Sequence, residues 1–363
     1  MAHSRLLDRI GIPLPIIQAP MAGVSTPAMA AAVSEAGGLG SIAVGATDAA
    51  GAEALIADVR ERTKLPFNVN LFCHRPAQTN PEREGRWIER FRPQFSEFGA
   101  HPPDSLTEIY LSFVEDEDML GLLLRVRPSV VSIHFGLPRR EWIRSLREAG
   151  VVLLATATSL AEASAAAEAG VDAIVAQGWE AGGHRGMFDP DAHDERLPAL
   201  DLVQSIVSEI DVPVIAAGGI MDGADIARAL ATGACAAQLG TAFIACNESL
   251  ADEGFRNALA SPASHHTVMT RAISGRPARC LANRFTDLGA DVPAADIPAY
   301  PVAYDLGKAL NAAAKAHGEY GFGAQWAGEG AARFRAMPSG ELVQVLAAEL
   351  RRSNISGEGN CHE

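Results

Sequence analysis

The feature of this sequence that most constrains its fold is a repeated unit, in which a short apolar run precedes an alanine-rich run that stops at glycine. The runs that we predict to be helical end in EAG at 35–37, 148–150 and 168–170 and in ATG at 231–233, and an apolar run follows each of them. Glycine readily adopts the left-handed conformation that ends a helix. Each unit therefore predicts a strand followed by a helix.

Eight apolar runs fit the strands of such a repeat. We predict strands at 15–21, 39–45, 66–72, 130–136, 151–158, 171–178, 212–220 and 234–243. These runs are almost continuously apolar, as is typical of parallel strands that are buried on both faces. Eight units favour an α/β fold of the (β/α)8 TIM barrel type over an open, doubly wound sheet.

Two segments interrupt the repeat and predict how the chain is organised. We expect residues 1–246 to form the barrel, with a charged, proline-rich insertion at 73–106. Residues 247–340 predict a smaller, mainly helical second domain over the barrel mouth, where such additions usually lie. The run at 341–350 predicts a return helix on the barrel, and 351–363 a flexible tail.

Composition excludes several classes of function. The net charge of the 363-residue chain is −14 and no basic stripe is present, which argues against nucleic-acid binding. The five cysteines form no CxxC pair, which argues against a disulfide framework and a structural zinc site. No other metal-ligand pattern is present, so we expect no metal. The amino terminus does not resemble a signal peptide and no run suggests a membrane span, so we expect a cytoplasmic protein.

Glycines follow the seventh and eighth predicted strands, where barrels concentrate their phosphate sites. AAGGI (216–220) and QLGTA (238–242) would let backbone amides approach a phosphate. Tight turns without a ligand are the alternative explanation. GGLGSIA (37–43) contains a GxGxxA match, but it follows a helix and opens a strand, so it does not predict a dinucleotide site.

Three further groups follow other predicted strands and would meet at the same edge of the barrel. QAPMAG (18–23) offers a small-residue turn that could lie against a flat ring. Asn70 has the donors and the acceptor to read the edge of a heterocycle, although it could also cap a loop. His134 could belong to the site or serve packing alone.

The stretch QGWEAGGHRG (177–186) combines four glycines with a histidine and an arginine after the sixth predicted strand. The glycines would let the chain fold tightly beside a planar ligand. Gln177 could reach a ring carbonyl or a ribityl hydroxyl. His184 can exchange a proton or hydrogen-bond an anion, and we predict it to be catalytic. Arg185 could interact with a negatively charged group or face solvent.

Taken in order, the motifs PIIQAPMAGVSTP, NVNLFCH, IHFGLP and QGWEAGGHRG resemble those of the class I nitronate monooxygenases, formerly called 2-nitropropane dioxygenases. The agreement spans most of the predicted barrel, and the stretch from AQWAGEG onward resembles the end of that family. The resemblance implies a (β/α)8 barrel that binds FMN without a covalent link, with a small second domain.

The resemblance also implies roles for individual residues. The catalytic histidine of the family matches His184, and His134 and His184 would contact substrate. The implied cofactor contacts, which include the glycine pair of the AAGGI turn, are Ala22, Gly23, Asn70, Gln177, Gly182, Gly218, Gly219, Gln238, Leu239, Gly240 and Thr241.

The implied reaction is oxidative denitrification, in which O2 oxidises an alkyl nitronate such as propionate 3-nitronate to a carbonyl compound and nitrite. The expected partners are thus a small nitronate and O2, and a homodimer is one expectation for the oligomeric state. Two alternatives remain open from the sequence. One is an FMN-dependent enoyl-acyl-carrier-protein reductase that uses NAD(P)H, and the other is a barrel that binds a phosphorylated metabolite without turnover.

Overall fold

A computed structural model describes residues 2–359 of the chain, and its centre is a sheet of eight parallel strands. In chain order the strands are β1 (Ile16–Gln18), β2 (Gly40–Ala43), β3 (Phe67–Phe72), β4 (Val130–His134), β5 (Val152–Ala157), β6 (Ala173–Gln177), β7 (Gly183–His184), β8 (Val214–Ala217), β9 (Ala236–Leu239), β10 (Thr267–Thr270) and β11 (Ala278–Leu281). The large sheet has the order β1-β9-β8-β6-β5-β4-β3-β2.

Two hydrogen bonds between β1 and the start of β2 close this sheet on itself. The Gln18 amide donates to the Leu39 carbonyl, and the Leu39 amide donates to the Ile16 carbonyl, both over 2.9 Å. The predicted TIM barrel is therefore confirmed, and each of the eight predicted runs contains one of its strands.

Helices follow the strands and surround the barrel. They are α1 (Ala2–Ile10), α2 (Pro27–Glu35), α3 (Ala49–Arg62), α4 (Pro81–Glu97), α5 (Glu117–Val126), α6 (Arg140–Glu148), α7 (Leu160–Ala169), α8 (Ala199–Glu209), α9 (Gly223–Ala231), α10 (Glu253–Leu259), α11 (Arg284–Gly289), α12 (Val302–Lys315) and α13 (Ser339–Gly359). The side chains of Thr26, Ser159 and Asp222 accept amide hydrogens at the starts of α2, α7 and α9, which fixes where these helices begin.

We refer to residues 247–338 together with α4 as the cap. Trp87 and Phe91 of α4 share one apolar cluster with Phe285 and Phe322, so the 73–106 insertion packs into this unit. The cap also contains a sheet that the sequence did not predict. In it β11 pairs antiparallel with β10 and with β7, the two-residue strand that carries His184.

The two ends of the chain pack on the barrel. Leu6 and Ile10 of α1 join Val130 and Val152 in the apolar cluster at the amino ends of the strands. Helix α13 packs against α2 and α9 and completes the outer ring. It is longer than the predicted 341–350 helix, because residues 351–359 of the expected tail continue it, while residues 360–363 lie outside the described part. No helix within residues 2–359 has both the length and the hydropathy to cross a membrane.

Candidate active site

A cavity of about 280 Å³ opens at the carboxyl ends of the barrel strands, beneath the cap. It gathers nearly all of the predicted site residues, namely Ala22, Gly23, Asn70, His134, Gln177, Gly182, His184, Gly218, Gly219, Gln238, Gly240 and Thr241. Leu239 differs, because its side chain belongs to the hydrophobic core while its carbonyl accepts a hydrogen bond from the Ala19 amide. The cavity therefore has the position that barrel enzymes use for their ligands.

At one end of the cavity lies a group of backbone amides that have no hydrogen-bond acceptor among the described residues, which we call the amide cradle. Within residues 2–359, the amides of Gly219, Ile220, Gly240 and Thr241 donate to no protein acceptor. Gly219 has a φ of +69°, a conformation that favours glycine and turns the chain tightly after β8. Buried amides normally have partners, so a group of free donors around a cavity fits an anionic oxygen ligand such as a phosphate.

Polar side chains continue the cavity wall from this cradle toward the barrel axis. The Gln238 Oε1 atom is buried and has no hydrogen-bond partner in the described structure. The Asn70 Nδ2 atom donates to the Ser132 Oγ over 2.9 Å, which leaves the Asn70 oxygen as an acceptor. A buried carbonyl oxygen without a donor points to a ligand that supplies one. Together with the cradle, these atoms fit a ligand that combines a hydrogen-bonding ring with an anionic oxygen group.

The 177–186 loop is held by its own polar side chains. Arg185 is 1% exposed, pairs with Asp194 over 2.8 Å, and donates to the carbonyls of Gln177 and Gly178. The Gln177 amide group donates to the His184 carbonyl and accepts from the Gly186 amide, over 2.9 and 2.7 Å. The structure thus gives Arg185 and Gln177 a role in shaping the loop, and Arg185 does not face solvent.

Gly182 allows the cap to approach this loop. A Cβ atom at Gly182 would lie 2.4 Å from the Gly328 nitrogen and 2.5 Å from the Ala327 carbonyl carbon, closer than real Cβ contacts. The absence of a side chain at Gly182 therefore lets the cap backbone rest on the loop as well as leaving room in the cavity.

His184 lies between the loop and the cap, with one ring nitrogen held and the other free. Its Nε2 atom is 2.8 Å from the Oγ of Ser274, a buried residue of the β10–β11 connection. Its ring centre is 5.0 Å from that of Trp326 and 5.4 Å from that of Tyr300. Burial lowers the pKa of His184 to about 3, and the neighbouring His134 and the positive charge of Arg276 lower it further. The imidazole is therefore neutral at neutral pH.

His134 and Arg276 are neighbours of His184. The His134 Nε2 atom is 3.4 Å from the His184 carbonyl, and burial lowers the pKa of His134 to about 3. Arg276 is 2% exposed, and its guanidinium carbon lies 4.3 Å from the centre of the Phe135 ring. Its charge opposes protonation of both histidines, so both imidazoles stay neutral.

The cap contributes an aromatic wall and a cation that the sequence analysis missed. Tyr300, Tyr304 and Lys308 of the cap line the cavity together with Tyr110 of the α4–α5 connection, and the Lys308 ammonium lies 4.7 Å from the ring centre of Tyr110. Partial burial lowers the pKa of Lys308, and Asp305 opposes that shift. The spacing of four between Tyr304 and Lys308 was a usable signal, because both lie in α12 and residues four apart lie on one face of a helix.

Comparisons with known proteins point to one family along nearly the whole chain. The sequence model described as nitronate monooxygenase matches residues 3–349. The chain is 58% identical over 348 residues to a nitronate monooxygenase of Paraburkholderia phytofirmans, covering 96% of this chain and 95% of the relative. It is 52% identical over 349 residues to one from Pseudomonas aeruginosa, covering 96% and 99% of the two chains.

Solved structures agree with this assignment. The fold matches a nitroalkane oxidase from Streptomyces ansochromogenes with a TM-score of 0.88 and 42% identity, over 97% of this chain and 99% of the other. It also matches FabK from Thermotoga maritima with a TM-score of 0.74 and 27% identity, over 98% of each chain. With its family model, its relatives and its barrel in agreement, the chain belongs to the nitronate monooxygenase family.

Proposed function

We propose that this protein is an FMN-dependent nitronate monooxygenase that uses O2 to convert alkyl nitronates into carbonyl compounds and nitrite. The observation that carries the proposal is the pairing of two features in one cavity. The free amides near Gly219 and Gly240 suit a phosphate, and the neutral imidazole of His184 lies where a substrate would meet the cofactor ring.

The cofactor assignment rests on the fit of these groups. Nitronate monooxygenases are flavin-dependent as a family. The Gly219, Ile220, Gly240 and Thr241 amides would hold the phosphate, and Asn70 would lie near the ring system. When bound, the flavin accepts electrons from the nitronate, which is chemistry that no side chain of this cavity can supply.

His184 would bind the nitro group of the substrate. In this proposal Ser274 donates its hydroxyl hydrogen to Nε2 over 2.8 Å rather than to the Arg276 carbonyl, which is 3.3 Å away. The Nδ1 atom then carries the imidazole hydrogen and donates a hydrogen bond to an anionic nitro oxygen. The low pKa of His184 makes the imidazole a weak base. The site therefore favours a nitronate, which is already ionised, over a neutral nitroalkane whose α-proton a base must remove.

The cap would complete the substrate end. Tyr300 and Tyr304 present aromatic surface that excludes water from the reacting carbon. Lys308 at the entrance would attract an anionic substrate and bind a second negative group, such as the carboxylate of propionate 3-nitronate.

The test is a visible spectrum of the purified protein, followed by measurement of nitrite and O2 consumption with propionate 3-nitronate. We expect the absorption bands of bound flavin and nitrite release that depends on O2. A colourless protein that takes up no FMN would instead support a barrel that binds a phosphorylated metabolite.

The reductase alternative is tested by anaerobic mixing with NADH or NADPH. A nitronate monooxygenase should keep its oxidised flavin spectrum on the time scale of turnover. Rapid and complete bleaching of the flavin by either nucleotide would contradict the proposal.

A further inference from the structure

The segment 327–335 of the cap lies directly against the turn that follows β8. Gly328 and Gly330 line the same cavity as Gly219. A Cβ atom at Gly330 would lie 2.5 Å from the Met221 Cγ and 3.4 Å from the Gly219 carbonyl oxygen. The cap backbone therefore forms the outer side of the cavity at its phosphate end.

Two arginines of this segment bind the carbonyls of that turn. The Arg333 Nη2 atom donates to the Gly219 carbonyl over 2.9 Å, and the Arg335 Nη2 atom donates to the Met221 carbonyl over 2.8 Å. The turn belongs to the barrel, whereas both arginines follow it by more than a hundred residues in the chain. The contact therefore links segments that are far apart in the chain.

Carboxylates hold both guanidinium groups in place. Arg333 pairs with Asp222 over 3.1 Å and with Asp225 over 2.9 Å, at the start of α9. Arg335 pairs with Glu349 of α13 over 2.9 Å. Because these pairs balance the charges locally, the arginines act on the turn chiefly through geometry.

Because of the geometry of the peptide group, the hydrogen bond from Arg333 to the Gly219 carbonyl also sets the direction of the Ile220 amide. In a trans peptide the C=O and N–H groups point in opposite directions. With the Gly219 carbonyl directed outward to Arg333, the Ile220 amide is directed to the opposite side. The Met221 amide donates to Asp225 over 2.8 Å, whereas the Ile220 amide has no acceptor within the described residues.

We propose that Arg333 and Arg335 are positioning residues for the cofactor phosphate, which act by fixing the 219–221 turn with its free amides toward the cavity. This inference rests on the proposed FMN site and adds to it a cap segment that holds the phosphate cradle. Its specific consequence is that the arginines affect the phosphate end alone, and not the site of the flavin ring.

The experiment compares the binding of FMN and riboflavin, which share ring and ribityl chain but differ in the phosphate. Dissociation constants are measured by flavin fluorescence on the full-length apoprotein. We expect Arg333→Met to weaken FMN binding about tenfold, the size of a charge-assisted hydrogen bond, and to leave riboflavin binding unchanged. Arg335→Met should act in the same direction, and Arg333→Lys, which keeps a donor, should fall between.

Arg284→Met is the matched control. Arg284 is an exposed cap arginine that pairs with Glu97 and Glu319, and its substitution should change neither constant. Equal weakening of FMN and riboflavin by Arg333→Met, or no change in either, would overturn the inference, and thermal unfolding of the apoprotein identifies a variant that is merely misfolded. If the unaltered protein bound neither flavin, the proposed function itself would fail, which is a distinguishable result.

Discussion

The two ends of the cavity offer different groups for binding a ligand, main-chain amides at one end and side chains at the other. At the end that we assign to the phosphate, the amides of Gly219, Ile220, Gly240 and Thr241 have no acceptor among the described residues, and Gly219 and Gly240 line the wall. At the substrate end, side chains line the cavity, and Ser274, Tyr304 and Lys308 all come from the cap. We therefore expect substitutions at the first end to change cofactor retention, and substitutions at the second to change rate and substrate preference.

The largest effect should come from His184→Asn. Asparagine keeps a polar side chain but removes the imidazole that we assign to the nitro group, so the turnover number should fall on the order of 10²–10⁴-fold. FMN content should stay at the level of the unaltered protein, because His184 is not part of the amide cradle. Steady-state nitrite assays and the flavin-to-protein absorbance ratio measure both quantities, and turnover at the unaltered rate would remove His184 from the mechanism.

Gly219→Val tests the end of the cavity that we assign to the phosphate. Gly219 has a φ of +69°, which a β-branched residue tolerates poorly, and a Cβ atom would lie 3.2 Å from the Glu180 Cβ. Backbone strain of a few kcal/mol should weaken FMN binding by about 10–100-fold. Flavin that is added in excess should restore much of the turnover number. Unchanged FMN occupancy after dialysis would contradict the phosphate site.

Acid should weaken the fold through the histidines near the substrate end. Burial lowers the pKa of His74 to about 4 and those of His134 and His184 to about 3. Between these values and the unfolded pKa of about 6.5, the unfolded chain binds more protons than the folded chain, so the free energy of unfolding decreases as pH falls. From pH 7 to pH 6 the loss should be at most about 0.7 kcal/mol for each histidine.

Urea unfolding of the apoprotein at the two pH values measures this loss. His74→Phe is the informative variant, because both ring nitrogens of His74 lack a hydrogen-bond partner in the described structure and phenylalanine cannot titrate. It should remove about one third of the pH dependence. A variant with the same pH dependence as the unaltered protein would show that folding does not lower the pKa of His74, as could follow from the Glu108 carboxylate 3.7 Å from its Nε2 atom.

Lys308→Met tests whether Lys308 contributes to substrate binding without contributing to the reaction itself. Its charge is exposed, so its loss should raise the KM for propionate 3-nitronate by only about threefold to tenfold. The KM for ethyl nitronate, which has no carboxylate, should rise less, and the turnover number should stay the same for both. Lys308→Arg keeps the charge and serves as the control. Equal increases in KM for the two substrates would argue that Lys308 does not bind the carboxylate.

The sequence was sufficient to predict the barrel and to place the glycines of the proposed phosphate end on its rim. Strand and helix signals repeat eight times, and the position of Gly219 and Gly240 after the last two strands follows from chain order alone. The small sheet of the cap escaped prediction, because β7 has two residues and pairs with β11, which is far along the chain. No local pattern identifies such a pairing.

The substrate end was harder to predict for the same reason. His184 was found from its loop, but its partner Ser274 comes close only when the β10–β11 connection folds over the barrel. Gln177 and Arg185 carried the correct residue types for a ligand site, yet their polar atoms bind the loop backbone. Sequence pattern locates a side chain on an element, whereas its partners depend on packing between distant segments.

A substitution at Ser274 tests whether the cap orients the imidazole at all. Ser274→Ala removes the hydrogen-bond partner of the His184 Nε2 atom, so either ring nitrogen can then carry the proton. Because only one of the two tautomers donates toward the substrate, the turnover number should fall about threefold to tenfold with FMN affinity unchanged. Ser274→Cys, similar in size with a weaker donor, should give an intermediate rate. If alanine and cysteine reduce turnover equally, the space filled by Ser274 matters more than its hydrogen bond, and His184 is held by its aromatic neighbours instead.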